Sequence, residues 1–296
     1  MGEAMDLRGK RILLTGASTG IGRELAKVLG ERGAVLAIAA RRRDLLEEVA
    51  EEIRAAGAHR PIPLTVDLVE RGQAAQLGRA ALGELGAIDV LINNAAANLH
   101  GFPSAVGDCD EGRRLFELNF WSHMALINEI VPSMRQRGSG TVVNVTSMAY
   151  VAPFPAVGTY CASKAALAVA TQGLRFELRR YGLHVLEVIP GAVDTPSSYE
   201  NRLLEGGDQW IDRAKATTPE KMARAIARAI EREKSRLIYP RRLSLGYELP
   251  VLSRAYARNV EKYVDPDKTP VRPTGSLTDA TSLRIRREWQ EKRRVG

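Results

Sequence analysis

Short apolar runs, many of them β-branched, alternate along the chain with longer stretches in which apolar positions recur every three or four residues. The runs fall at Arg11–Leu14, Ala34–Ala39, Pro61–Val66, Ile88–Asn93, Gly140–Thr146, His184–Ile189 and Arg236–Tyr239, and they predict seven strands. Successive runs are separated by enough chain for a right-handed helical crossover, and near-continuous apolar strands mark a parallel sheet covered on both faces. The helical stretches carry the stripes such layers need. Ile21, Leu25, Val28 and Leu29 form one, and Leu45, Val49 and Ile53 form the next. The pattern therefore predicts a doubly wound, seven-stranded α/β domain over residues 1–240.

The rhythm breaks after Pro190. Residues 191–217 mix Pro, Gly, charge and a Trp without sustained period, which predicts a long loop of the kind that covers a site. A helix is expected over 219–233. Beyond the last strand, Leu245, Leu249, Leu252, Tyr256, Val260 and Tyr263 recur at mixed helical spacing within 241–264, predicting a helical extension whose apolar face needs a partner surface. Residues 265–280, with three prolines and no apolar stripe, read as an unpacked linker, and 265–296 as a whole form a basic tail with eight basic side chains against five acidic.

Composition narrows the field. With 45% hydrophobic and 26% charged residues, the chain is neither disordered nor fibrous. The net charge of +8 admits a polyanionic partner, but aromatics at 5% leave little for stacking on bases, so a nucleic-acid partner is not expected. Two cysteines, Cys109 and Cys161, cannot make a disulfide framework, and neither they nor the four histidines have metal-ligand spacing. No stretch reaches about 18 apolar residues and no secretory signal core is evident, so the expectation is a cytoplasmic protein whose membrane contact, if any, is peripheral and made through 241–264.

Chemistry enters at the first strand, which runs through Thr15-Gly16-Ala17-Ser18-Thr19-Gly20-Ile21-Gly22 directly into a helix. Gly16 suits the tight turn, Gly20 lets backbone N–H groups approach a pyrophosphate, Gly22 permits close helix packing, and the helix N-terminus adds partial positive charge. About 20 residues further on, where an acidic side chain would accept from a ribose 2′-hydroxyl, the chain has Ala40-Arg41-Arg42-Arg43. A guanidinium binds a 2′-phosphate bidentately, so NADP(H) is the expected cofactor in preference to NAD(H).

At the other end of the chemistry, Tyr160 and Lys164 stand four apart at the start of a helical segment and share one face. Moving a tyrosine from a pKa of about 10 to about 7 takes roughly 4 kcal/mol of differential stabilisation, and a nearby ammonium supplies a field of the right sign. Ser147 follows the fifth predicted strand at its carboxyl end, where open α/β sheets place groups that meet a ligand. Asn94 ends the fourth strand similarly and Asn119 lies in the next helix; either amide could instead be a simple cap. Cys161 points away from Tyr160 and has no adjacent His as base, which leaves it no nucleophilic role.

Together these motifs resemble the short-chain dehydrogenase/reductase family, in order, over about residues 8–240. They comprise the glycine turn, Asp67-Leu68, Asn93-Asn94-Ala95, Asn119, Ser147, Tyr160-x-x-x-Lys164, and Pro190-Gly191 followed by Thr195. The resemblance implies a Rossmann-like fold in which Tyr160 is the general acid/base and Ser147 holds the substrate oxygen. It implies that Lys164 binds the nicotinamide ribose and lowers the Tyr160 pKa, while Asn119 maintains a water for proton relay. It also places Ser18, Thr19 and Ile21 with the glycines at the cofactor, Asp67 and Leu68 beside the adenine, and Asn94, Ala95 and Ala96 along the adenosine ribose. Pro190, Gly191, Val193 and Thr195 fall at the carboxamide and phosphates. Ala96 departs from the family's usual glycine, and a methyl there could tighten the groove floor or shift the adjoining loop.

Between Ser147 and Tyr160 the chain is almost free of charge, which predicts an apolar pocket for a hydrophobic ketone, aldehyde or secondary alcohol of lipid, steroid-like or acyl type. The resemblance implies a homodimer or homotetramer built through the long helices near 110–137 and 160–180. The alternative reading is a catalytically silent protein that senses the dinucleotide or scaffolds a partner on the same fold.

Overall fold

The computed structural model describes residues 5–202, 216–260, 269–275, 285 and 288–292. Its elements in chain order are β1 (Arg11–Thr15), α1 (Gly20–Glu31), β2 (Val35–Ala40), α2 (Arg43–Ala55), β3 (Ile62–Thr65), α3 (Gln73–Leu85), β4 (Val90–Asn93) and β5 (Ala97–His100). Then follow α4 (Pro103–Val106), α5 (Asp110–Phe116), a π-helical turn (Glu117–Trp121), α6 (Ser122–Arg137), β6 (Thr141–Val145), a 3₁₀ turn (Met148–Tyr150) and α7 (Gly158–Arg179). The remainder comprises β7 (His184–Pro190), α8 (Pro196–Arg202), α9 (Pro219–Glu231), β8 (Arg236–Tyr239), α10 (Ser244–Glu248), α11 (Pro250–Val260) and β9 (Arg272–Gly275).

Seven strands form one parallel sheet in the order β3-β2-β1-β4-β6-β7-β8. These are the seven that the apolar runs predict. The sheet is parallel because each run is apolar at nearly every position and so must be covered twice. On one face the stripes of α1, α2 and α9 close a core through Leu25, Leu29, Leu46, Val49, Met222, Ile226 and Ile230; on the other, α3, α6 and α7 close a second through Leu77, Leu126, Ile130, Met134, Leu174 and Leu178. The winding reverses between β1 and β4, and a crevice opens beyond their carboxyl ends, where such sheets bind ligands.

That crevice has a hydrogen-bonded floor. The Thr15 hydroxyl donates to the Ile92 carbonyl (3.2 Å) and accepts from the backbone N–H groups of Asn94 (3.0 Å) and Ala95 (3.1 Å). The Asn94 side-chain amide donates back to the carbonyls of Thr15 (2.9 Å) and Gly16 (3.2 Å). The carboxyl ends of β1 and β4 are thus latched as one unit.

The C-terminal third corrects the sequence reading in one place. Arg272–Gly275, inside the stretch expected to be an unpacked linker, is a strand that pairs antiparallel with β5, Ala97 facing Gly275 and His100 facing Arg272. The rest of the linker, 265–268 and 276–280, lies outside the described residues. Within 241–260 the helical extension is present, and among the residues whose side chains are described much of its apolar face is open, as for a face that needs a partner surface. Leu243 packs onto Gly191 and Tyr247 meets Tyr150, whereas Leu245, at 62% exposed, and Leu249, Val251 and Leu252 face outward. The anchor is polar: the Tyr150 hydroxyl donates to the fully buried carboxylate of Glu187 (3.0 Å) and lies 3.3 Å from the Tyr247 hydroxyl, with the Arg236 guanidinium over the Tyr247 ring. Tyr263 lies outside the described residues, as do 203–215 of the long loop. That loop's two ends are tied together, since Asp194 N–H donates to Thr217 O and Thr217 N–H to Ala192 O, both at 2.9 Å.

Candidate active site

One groove at the crevice brings together most of the residues the sequence assigns to a dinucleotide. It is lined by Gly16, Ser18, Thr19, Gly20, Ile21 and Gly22 from the turn, Arg41 and Arg42 beyond β2, Asp67 and Leu68 beyond β3, Asn94, Ala95 and Ala96 beyond β4, and Thr195. The turn is built for close approach. Gly16 has φ +67°, and a Cβ there would lie 2.8 Å from the Ala95 Cα; at Gly22 a Cβ would run into the Gly16 carbonyl. No side chain caps α1 and no acidic residue occupies its first turn, so its leading N–H groups face the groove free to meet an anion. These features fit a pyrophosphate. Ala96 lies outside the left-handed region, so the methyl group in place of the family's glycine brings no backbone strain there.

At the far end, β2 stops at Ala40 without a carboxylate; the nearest one along the chain, Asp44, lies on the exposed side of α2. Asp67 is partly committed to its own turn, its carboxylate accepting from Val69 N–H at 3.0 Å. Pro190, Gly191 and Val193 are not in the lining. Leu243 and the carbonyl of Tyr239 cover Gly191, and Val193 is buried in a bridge to Thr217. Leu118, Pro196, Ser197 and Ile285 do line the groove, and no local motif points to them.

The four candidate catalytic side chains, Tyr160 and Lys164 among them, are not in this lining; they come together at the ends of β6, the π turn and α7. Ser147 leaves the end of β6 and caps the 3₁₀ turn, its hydroxyl accepting from Ala149 N–H at 3.1 Å. The same side chain lies close enough to the Tyr160 hydroxyl, in the first turn of α7, to favour its ionised form. One turn further on, the Lys164 ammonium donates to the Val145 carbonyl at 3.0 Å. Asn119 sits in the π turn, and its amide makes a strand-like pair with Ala97, accepting from its N–H and donating to its carbonyl, both at 3.0 Å. The remaining Asn119 N–H reaches Ser163 Oγ, which in turn donates to the Tyr160 carbonyl at 2.7 Å. Both amide protons of Asn119 are therefore used in holding β5 and the first turn of α7. In this geometry it acts as a positioning residue.

The electrostatics differ from the expectation that Lys164 lowers the Tyr160 pKa. Burial pushes the Tyr160 phenol up to about 12, the Ser147 hydroxyl offsetting only part of the rise, and Lys164 contributes no resolved stabilisation of the phenolate. Burial likewise brings the Lys164 ammonium down to about 7, with one of its N–H groups donating to Val145. His123, unremarked in the sequence, is fully buried one turn after Asn119, with Nε2 3.0 Å from the Ala95 carbonyl. Burial first, and the Lys164 charge second, hold its ring near 3, so it is neutral. Burial also raises the Cys161 thiol to about 11, consistent with an inert side chain. Among the described residues there is no cluster of His, Cys, Asp or Glu that could hold a metal ion, and no helix is long and apolar enough to cross a membrane.

Comparison with known proteins agrees with this geometry. The family described as short chain dehydrogenase matches residues 10–204. A fatty acyl-CoA reductase of Mycobacterium tuberculosis is 32% identical over 238 residues, covering 77% of this chain and 81% of its own. A short-chain dehydrogenase from Sphingobium yanoikuyae, solved in complex with NADPH, superposes with a TM-score of 0.72 at 26% identity, over 86% of this chain and 96% of its own. A Burkholderia phymatum enzyme of the family, solved with NAD, shares the fold at a TM-score of 0.73 and 24% identity, over 88% of this chain and 98% of its own. With the glycine turn, the Ser147–Tyr160 pair and the buried Lys164 assembled around one crevice, the chain belongs to the short-chain dehydrogenase/reductase family of oxidoreductases.

Proposed function

We propose that the protein reduces a hydrophobic ketone or aldehyde, or oxidises the corresponding secondary alcohol, with NADP(H) as cofactor. The approach of the Ser147 hydroxyl to Tyr160, one helical turn from Lys164, carries this reading. The residues of the glycine turn and Arg41 and Arg42 would hold the dinucleotide, which when bound supplies or accepts a hydride. Tyr160, a neutral phenol, donates its proton to the carbonyl oxygen in reduction and takes one back in oxidation, while the Ser147 hydroxyl orients that oxygen. Asn119 and Ser163 fix the first turn of α7, so the phenol keeps its direction.

Preference for the phosphorylated cofactor is supported by two guanidinium groups in the groove and by a β2 end without a carboxylate to repel a 2′-phosphate. The hydrophobic substrate is supported by the uncharged segment from Met148 to Thr159, which follows Ser147 directly, and by the fatty acyl-CoA named for the mycobacterial relative. A second copy of the chain as partner is supported by exposed apolar side chains on the helices expected to carry it, Phe176 at 83% and Val169 two turns earlier on α7, and Trp121 just before α6. Sedimentation should then report a dimer or tetramer.

The test is turnover of purified protein on hydrophobic ketones of graded size with NADPH and with NADH. The expected result is a kcat/KM at least about tenfold higher with NADPH, and a loss of about a hundredfold or more in Tyr160→Phe. Equal use of NADH would refute the cofactor preference, and turnover confined to sugars or polyols would refute the substrate class. Cofactor binding without turnover across the panel would favour the dinucleotide-sensing alternative.

A further inference from the structure

We propose that Ile285 and Trp289, in the C-terminal segment, form a strap at the dinucleotide groove, as positioning residues that hold the bound cofactor and slow its exchange. This rests on the reading of the groove as a dinucleotide site. Three contacts made by different parts of the segment place it there. Strand β9 is fastened to β5, which follows the groove residues Asn94, Ala95 and Ala96 directly. Ile285, only 2% exposed, lines the groove itself beside Thr195, Pro196 and Ser197. Past it, the Trp289 indole N–H donates to the Asp194 carboxylate at 3.2 Å, and Trp289 and Gln290 share a hollow with Thr19, Gly20, Arg23 and Glu24. Ile285 and Trp289 thus stand at the groove wall and beside the phosphate-binding turn.

Physics gives this arrangement a direction. An isoleucine is stable at such a place only when its apolar surface is covered, and the groove wall covers it. The indole bond grips Asp194, next to Thr195, so the strap also fixes the loop that carries a groove residue. Trp289 is only half-buried, and a wall held partly by half-buried contacts opens more readily than the sheet behind it. A wall that opens more easily than the sheet melts controls how fast a ligand leaves without carrying any of the chemistry.

Two full-length variants, Ile285→Ser and Trp289→Ala, test the proposal with two readouts. In the free protein, amide hydrogen exchange at Thr19–Gly22 and Thr195–Ser197 should quicken about fivefold, while exchange in β1 and β4 stays unchanged. In stopped flow, release of NADPH followed by its fluorescence should quicken about fivefold to tenfold. Unchanged release in both variants overturns the strap. If the unmodified protein binds neither NADPH nor NADH, the dinucleotide reading falls; the exchange readout still decides whether the segment walls the groove.

Discussion

The Lys164 ammonium lies 3.0 Å from the Val145 carbonyl with its side chain 1% exposed, so a buried cation ties α7 to the strand that delivers Ser147. The tether sets the spacing of the catalytic pair, and it costs stability because a charge has been taken out of water.

That cost has a pH signature. The Lys164 pKa falls from its ordinary 10.5 to about 7 in the folded chain, so between those values the unfolded state binds the extra proton and stability rises with pH. Lys164→Met should flatten this rise in urea unfolding between pH 7 and 10. It should also reduce carbonyl turnover by about a hundredfold or more.

His123 gives the acidic counterpart. Its ring is held near 3 against an ordinary 6.5, so as pH falls from 6.5 towards 3 the unfolded chain takes up a proton that the folded one refuses, and stability drops. His123→Gln keeps a donor for the Ala95 carbonyl but cannot titrate. Thermal unfolding followed from pH 7 to 4 should show a shallower decline in the variant, and an identical decline would assign the acid sensitivity to other groups.

Arg41 lines the groove where a 2′-phosphate would sit, and reversing its charge should reverse the discrimination. Arg41→Asp is expected to weaken NADPH affinity by about tenfold or more, the value of one lost charge-assisted contact, while leaving NADH affinity unchanged or improved. Titration of both cofactors by fluorescence reads the two effects separately.

Much of this was open to sequence reading for a simple reason: it is local. Each strand from Arg11–Thr15 to Arg236–Tyr239 is an apolar run bounded by turn residues, and the glycine turn and the Tyr160–Lys164 spacing are contiguous motifs. Arg272–Gly275 is different. Pro273 lacks a backbone N–H and no alternation marks the segment, yet it pairs as an edge strand because β5 offers it a free ladder. Ile285 lines the groove far in sequence from the turn and strand ends that build it, so no window of sequence around it carries the signal. The Tyr160 pKa escaped for another reason: adjacency on a helix says that a cation is near, but burial decides which sign prevails.

Ala156, in the uncharged segment before Tyr160, has φ +59°, a left-handed conformation that a Cβ disfavours. Its carbonyl accepts from Gly101 N–H at 2.7 Å, which holds it there. Ala156→Gly should stabilise the protein by about 1 kcal/mol, read as a higher urea midpoint at constant slope.

Strand β9 meets β5 across roughly 175 residues of intervening chain, a closure whose entropy is recovered only after the sheet exists to receive it. During synthesis every part of the parallel sheet emerges before Arg272 does. The crevice is therefore assembled uncovered, and a newborn chain can meet its first dinucleotide before its own last segment arrives to close the door behind it.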